Sequence, residues 1–125
     1  MILNLPAIVE KGFTLEAIQD EVPRVRFSGN GDTEAVSPLN RFLKHLHQEL
    51  VAHSSTSVAV DFEELYFMNS SCLKAFVSWI YKVDTTGRPY KIHLLMNPRL
   101  HWQSRSLATL QRLAPQVVQV EELNN

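Results

Sequence analysis

Hydrophobic and polar residues alternate along this chain with two different periods, which predict strands in some segments and helices in others. A period of two is typical of a strand with one buried face, and it predicts the extended segments 13–18, 24–28, 58–62 and 91–96. Short apolar runs at 7–9, 65–68 and 117–120 predict further extended pieces.

Apolar residues spaced three and four positions apart predict three helices. Ser37 and Pro38 predict the start of the first helix, as its N-cap and first helical residue. The second helix follows Asn69-Ser70-Ser71, and the third begins at Asn97-Pro98 and extends to Leu113. The apolar faces comprise Leu39, Phe42, Leu43, Leu46 and Leu50 in the first helix, Leu73, Phe76, Val77 and Ile80 in the second, and Leu100, Leu107, Leu110 and Leu113 in the third.

The resulting element order is β-β-α-β-α-β-α-β, which is typical of the α/β class. Short connections, with helices between the later strands, predict a mixed β-sheet of four to five strands, about three helices and mostly right-handed crossovers. A chain of 125 residues fits one domain, 1–125, with a core at roughly 10–122.

Composition narrows the classes of protein to be considered. With 45% hydrophobic and 20% charged residues the chain is globular, and its net charge of −1 gives no electrostatic reason to expect nucleic acid or a membrane surface as a partner. One cysteine excludes an intramolecular disulfide and is consistent with a reducing compartment. Since the sequence shows neither a secretory signal nor a long apolar span, we expect a soluble, cytoplasmic protein.

Basic and histidine side chains give no specific site. The last predicted helix carries four cationic or histidine residues, which indicate a solvated face on a chain of this charge: Arg99, His101, Arg105 and Arg112. His45 and His47 lie two positions apart on a helix, so they point away from each other and are poor joint metal ligands. The sequence therefore predicts no metal site and no cofactor.

An enzymatic function is another possibility, and the residues give it little support. Asp61 lies in a strand, and Glu63 and Glu64 point to opposite sides if the chain is extended. No histidine or lysine is placed by a motif to activate Ser70 or Cys72 as a nucleophile. The sequence therefore predicts no catalytic residue.

The central segment resembles a known signature. Val60-Asp61-Phe62, followed by Leu65 and by Phe67-Met68-Asn69-Ser70-Ser71-Cys72-Leu73, is similar to the motif of the STAS domains, the family of bacterial anti-sigma factor antagonists. The resemblance covers roughly residues 10–122. It implies the STAS fold and a non-enzymatic regulatory domain that binds a partner protein.

The resemblance also implies site residues. Ser70 corresponds to the serine that a partner kinase phosphorylates in this family, with Ser71 as the fallback acceptor. Asp32 matches the aspartate of a Gly-x-x-Asp loop that lies near the serine turn in the family. The implied partners are a serine kinase or anti-sigma factor and a phosphatase, and a homo-oligomer is also open. Two positions depart from the pattern, because Asn69 replaces an aspartate and Cys72 replaces a glycine.

Two alternatives stay open from the residues themselves. Asn69-Ser70-Ser71 has a purely structural explanation, since side-chain oxygens at these positions cap a helix. Cys72, Ala75 and Trp79 widen the apolar arc of the second helix, so either a neighbouring helix covers them or they form a docking strip that begins at Ser70. A constitutive interaction subunit, without phosphorylation, is the alternative to a switched one.

Overall fold

The computed structural model describes residues 3–18 and 20–123. In this part of the chain the strands are β1 (Ile8–Glu10), β2 (Phe13–Ile18), β3 (Arg24–Gly31), β4 (Ser57–Asp61), β5 (Leu65–Met68), β6 (Lys91–Met96) and β7 (Val118–Glu122). The helices are α1 (Thr33–Ala52), α2 (Ser70–Thr85) and α3 (His101–Leu113). The α/β class is confirmed, but the sheet has seven described strands instead of four to five. The short strands β1 and β5 each pair with a neighbouring strand through backbone hydrogen bonds. A prediction that counts only the longer apolar runs therefore gives too few strands.

One mixed sheet runs through the molecule in the order β1-β2-β3-β4-β6-β7. The first three strands are antiparallel, and β3, β4, β6 and β7 are parallel to one another. β5 pairs with the last residues of β3, beyond the stretch of β3 that pairs with β4. The chain therefore leaves β4, bends, and pairs with the same edge of β3 again through β5, nearer the C-terminal end of β3.

The hydrophobic core lies on one face of this sheet. Buried side chains alternate along the strands with half-buried or exposed ones, as in Val58 and Val60 against Ser57 and Ala59. The apolar stripe predicted for α1 is buried, and it packs on β2, β3 and α2. Among the described residues, no helix is long and apolar enough to cross a membrane.

The end of β3 differs from the prediction, which ended this strand at Ser28. The strand continues to Gly31, with a register shift between Gly29 and Asn30. Gly29 has a positive φ of 92°, and a Cβ atom here would lie 2.2 Å from the carbonyl oxygen of Gly12. Only glycine fits this backbone at this distance, so the close approach of β3 to the turn between β1 and β2 depends on Gly29.

The start of α1 was predicted wrongly. The helix begins at Thr33 with Asp32 as its N-cap, so Pro38 lies inside the helix instead of at its first position. Ala35 is fully buried, and its amide donates to the carbonyl oxygen of Asp32 at 2.9 Å. Packing of this extra turn outweighs the one hydrogen bond that proline removes from a helix.

The start and the apolar face of α3 also differ from the prediction. Asn97 does not open the helix, because its side-chain Oδ1 accepts from the amide of Arg99 at 2.9 Å and its Nδ2 donates to the carbonyl oxygen of Glu63 at 2.8 Å. The helix begins one turn later, at His101. Leu107 and Leu110 are buried as predicted, whereas Leu113 is 52% exposed at the end of the helix.

A buried glutamine lies on the side of α3 that faces the bend between β4 and β5. Gln103 is fully buried, and its Nε2 donates to the carbonyl oxygens of Phe62 at 2.7 Å and Leu65 at 3.0 Å. Its Oε1 accepts from the amide of Asn97 at 2.8 Å. The side chain therefore satisfies the backbone of the bend between β4 and β5, where strand pairing is interrupted.

A buried carboxylate lies at the end of β4. Asp61 is fully buried on the face of the sheet away from the core, where it accepts hydrogen bonds from Arg24 at 2.6 Å and Arg26 at 3.2 Å. Its other oxygen accepts from the amide of Glu63 at 2.8 Å. Burial alone raises the pKa of a carboxyl, but these three hydrogen bonds outweigh it and hold the pKa of Asp61 below its ordinary value of 3.8.

This pairing predicts a pH-dependent loss of stability in Asp61→Asn. At neutral pH the variant should be less stable by about 2 kcal/mol, because hydrogen bonds between charged groups become weaker neutral ones. A lowered pKa makes the stabilisation fully present above pH 3.8 and lost as the pH falls through the folded-state pKa, so the two unfolding curves should converge in acid. Urea unfolding across this range measures it, with Glu64→Gln as the exposed control. An equal loss at every pH would assign the effect to packing.

Candidate functional site

The candidate site is built where β5 ends and α2 begins. Asn69 has extended backbone angles, φ −76° and ψ 170°, and its side-chain oxygen accepts from the amide of Cys72 at 2.8 Å. This is the N-cap that the sequence predicted, and α2 starts at Ser70 as expected. The cap leaves the amides of Ser70 and Ser71 without an acceptor inside the helix, because the first turn has none to offer.

The start of α1 lies beside the start of α2. The amide of Asn69 donates to the carbonyl oxygen of Gly31 at 2.8 Å, and the thiol of Cys72 lies 3.6 Å from the carbonyl oxygen of Asp32. Asp32 therefore adjoins the turn at Asn69–Ser71, the proximity that the resemblance implied. We call these four residues, Asp32 with Asn69, Ser70 and Ser71, the serine turn.

The serine turn is accessible. Asp32, Ser70 and Ser71 are exposed and Asn69 is half-buried. Two helix N-termini place partial positive charge here, while Asp32 and the exposed Glu34 of α1 contribute negative charge. The turn thus offers two hydroxyl groups and free amide donors to a second molecule.

Cys72 belongs to the core and not to this surface. Its side chain is fully buried, and burial together with the nearby Asp32 raises the pKa of the thiol to about 11. A neutral, buried thiol is a poor nucleophile. The cysteine also adds no bulk to the surface where the family motif has glycine, because its side chain points inward.

Ala75 and Trp79 do not form an exposed strip. Each is only 5% exposed, since α1 packs over this side of α2. Trp79 donates from its indole Nε1 to the hydroxyl of Tyr90 at 2.8 Å and packs against Phe76. Of the two explanations that the sequence left open, the covering helix is therefore the one observed. In the folded chain the predicted docking strip of Cys72, Ala75 and Trp79 is not accessible to a partner.

Sequence reasoning missed three exposed residues near the serine turn. Tyr66 and Phe67 on β5 are 56% and 46% exposed. Neighbouring side chains in a strand point to opposite faces, so the apolar run predicts that at least one of these two is buried. Lys74 is exposed and lies four residues after Ser70, on the same side of α2. The one indication in the sequence was the four-residue spacing of Ser70 and Lys74. This spacing places the two side chains on one side of a helix only because the helix begins at Ser70.

The described residues contain no group of three or more His, Cys, Asp or Glu side chains that could hold a metal ion. They also contain no hydrogen bond from a histidine or lysine side chain to Ser70 or Cys72. The serine turn offers hydroxyl and amide groups for hydrogen bonding, with the charge of Asp32 beside them.

Comparisons with known proteins bear on the fold. No family model and no curated protein matches the sequence. Among solved structures, the anti-sigma factor antagonist SpoIIAA in its unphosphorylated form shares 18% identity, covers 90% of this chain and 89% of its own, and gives a TM-score of 0.56. An anti-sigma factor antagonist from Mycobacterium paratuberculosis shares 18% identity over 86% of each chain, with a TM-score of 0.64. The Bacillus cell fate determinant SpoIIAA in its phosphorylated form shares 21% identity over 87% of this chain and 90% of its own, with a TM-score of 0.55.

The chain has the STAS fold. The identities are low, so the likeness establishes the architecture alone, and it confirms the fold that the central motif predicted. In this STAS fold the serine turn lies at the start of α2, with the loop of Asp32 beside it.

Burial of Trp79 predicts a large loss of stability in Trp79→Ala. Removing a buried aromatic side chain costs about 3–5 kcal/mol, and here it also leaves the hydroxyl of Tyr90 without its donor. Chemical unfolding measures the loss, and Tyr81→Ala is the matched control because Tyr81 is 67% exposed on the same helix. Unchanged stability in Trp79→Ala would contradict the burial of this side chain and show that Trp79 lies at the surface.

The N-cap predicts opposite effects for two substitutions of Asn69. Asn69→Ala removes the acceptor for the amide of Cys72 and should lower stability by about 1 kcal/mol. Asn69→Asp keeps the acceptor and adds negative charge at a helix N-terminus, so it should be at least as stable as the natural chain. Urea unfolding compares both with Ser71→Ala, which removes no described cap bond. Equal losses in both Asn69 variants would show that the cap does not stabilise α2.

Proposed function

We propose that this protein is a non-enzymatic bacterial regulatory domain that binds a partner protein through the serine turn, with binding switched by phosphorylation of Ser70. The observation that carries the proposal is the placement of an exposed Ser70 at the first position of α2, with free amide groups beside it. The fold similarity to SpoIIAA, whose structure is known in phosphorylated and unphosphorylated forms, supports it.

The proposed contact surface consists of the serine turn together with Tyr66 and Phe67. Exposed aromatic side chains are enriched at protein interfaces, since they bury much apolar area with little loss of conformational freedom. Phe67 lies on β5 two residues before Asn69, so one partner could cover both rings and the serine turn. Cys72 lies beneath the serine turn, and Ala75 and Trp79 are buried against α1, so none of the three would contact the partner.

Phosphorylation of Ser70 has a clear physical consequence. A phosphoryl group brings about −1.5 to −2 charges at neutral pH. Within the chain this charge is tolerated, because free amides and the dipole of α2 favour an anion there and Lys74 lies one turn away. A partner packed over the turn would have to desolvate the same charge beside Asp32. Phosphorylation should therefore weaken the complex while leaving the fold intact.

The proposed partner is of the serine kinase or anti-sigma factor type, with a phosphatase to reset the switch, in the cytoplasm. Asn69 favours a second candidate, a constitutive interaction subunit or homo-oligomer that uses the same surface without phosphorylation. Asn69 supplies the helix cap without the carboxylate of the family motif, so a kinase that requires that charge would not recognise it.

Substitutions at Ser70 separate the two candidates. Under the switch proposal, Ser70→Asp should weaken partner binding at least about tenfold, whereas Ser70→Ala should retain it. Ser104→Asp, which adds the same charge at an exposed serine on α3, is the matched control. Intact mass and peptide mapping of the protein from its native host, with and without phosphatase, would show the modification directly. Equal binding by the two Ser70 variants and an unmodified serine turn would favour the constitutive subunit.

A further inference from the structure

A groove between α1 and α2, away from the serine turn, has the composition of a ligand site. It has a volume of about 210 Å³. Its lining residues are Asn40, Leu43, Lys44 and His47 from α1 and Ala75, Ser78, Trp79 and Lys82 from α2. Leu43, Ala75 and Trp79 are largely buried and form an apolar floor, whereas the two lysines are exposed at the rim.

A hydrogen-bond chain beneath the groove ends at His47. The indole of Trp79 donates to the hydroxyl of Tyr90 at 2.8 Å, and this hydroxyl lies 2.6 Å from Nδ1 of His47. An indole N–H can only donate, so the hydroxyl accepts from Trp79 and its own proton is available to Nδ1. From this network we assign the ring hydrogen of His47 to Nε2.

The charges at the groove have one sign. Lys44 and Lys82 flank His47, and no aspartate or glutamate is among the described residues that line the groove. Burial lowers the pKa of His47, and the charge of Lys82 lowers it further. An anion seated between the two lysines would relieve this repulsion and accept the hydrogen bond that Nε2 can donate.

We propose that the groove binds a small organic anion, a carboxylate or phosphate monoester with a flat apolar body, whose charge lies between Lys44, His47 and Lys82. The apolar body would contact the small exposed edges of Trp79 and Leu43 that line the groove. The volume of about 210 Å³ suits a molecule of about ten non-hydrogen atoms and lies below the roughly 300–1,000 Å³ of common ligand pockets. This site does not depend on the function proposed for the serine turn.

Binding of simple probes tests the proposal. Benzoate and phenyl phosphate, titrated into the full chain, should shift the NMR signals of the His47 ring and the Trp79 indole N–H to saturation. Trp102→Phe identifies which indole signal belongs to Trp79. For anions of this size the dissociation constant should be about 0.1–1 mM, and neutral benzamide, which has the same shape as benzoate, should bind at least about tenfold more weakly. Bound anion should also raise the pKa of His47.

Variants of the rim supply the control. Lys44→Met and Lys82→Met should each weaken benzoate binding about threefold to fivefold without lowering the melting temperature. Lys74→Met, on the same helix as Lys82 but outside the groove, should leave it unchanged. The proposal is overturned if neither anion saturates the signals, if benzamide binds as well as benzoate, or if the rim variants bind like the natural chain. Saturation by an acidic peptide alone would also overturn it, in favour of a protein segment.

Discussion

The chain bends between β4 and β5, and the buried side chain of Gln103 holds that bend in place. A bend inside a sheet exposes backbone carbonyl groups that no neighbouring strand can pair, and a buried unpaired carbonyl is costly. Gln103 accepts from one amide and donates to two carbonyl groups of the bend, of which that of Phe62 also accepts from the amide of Leu65. The direction of β5, and with it the position where α2 begins, depends on this arrangement.

The site at the start of α2 inherits its geometry from that bend. β5 pairs with the extended end of β3, so the amide of Asn69 meets the carbonyl of Gly31 and the two helix starts lie side by side. The hydroxyl groups of Ser70 and Ser71 then face solvent while Cys72 turns inward. The exposed surface at the start of α2 therefore combines hydroxyl groups, free amides and two exposed aromatic rings.

The same packing gives the two sides of α2 different properties. On the side of α1, Trp79 and Tyr90 form a buried hydrogen-bond chain that ends at His47 in the groove. At its N-terminus, the helix offers the serine turn to solvent. The residues exposed at the start of this helix therefore differ from those that fill the core along its side.

The sequence by itself determined the features that depend only on residues close together in the chain. The alternation of Val58 and Val60, the leucine stripe of α1 and the cap at Asn69 each depend on the chemistry of a few adjacent residues, and the motif around Ser70 pointed to the STAS fold. Tertiary structure decided where α1 and α3 begin, since packing of Ala35 and the hydrogen bonds of Asn97 outweigh the serine-proline and asparagine-proline signals. It also decided that Trp79 is buried, that Asp61 pairs with Arg24 and Arg26, and that Tyr66 and Phe67 are exposed. These outcomes depend on contacts between residues distant in sequence, which no local periodicity encodes.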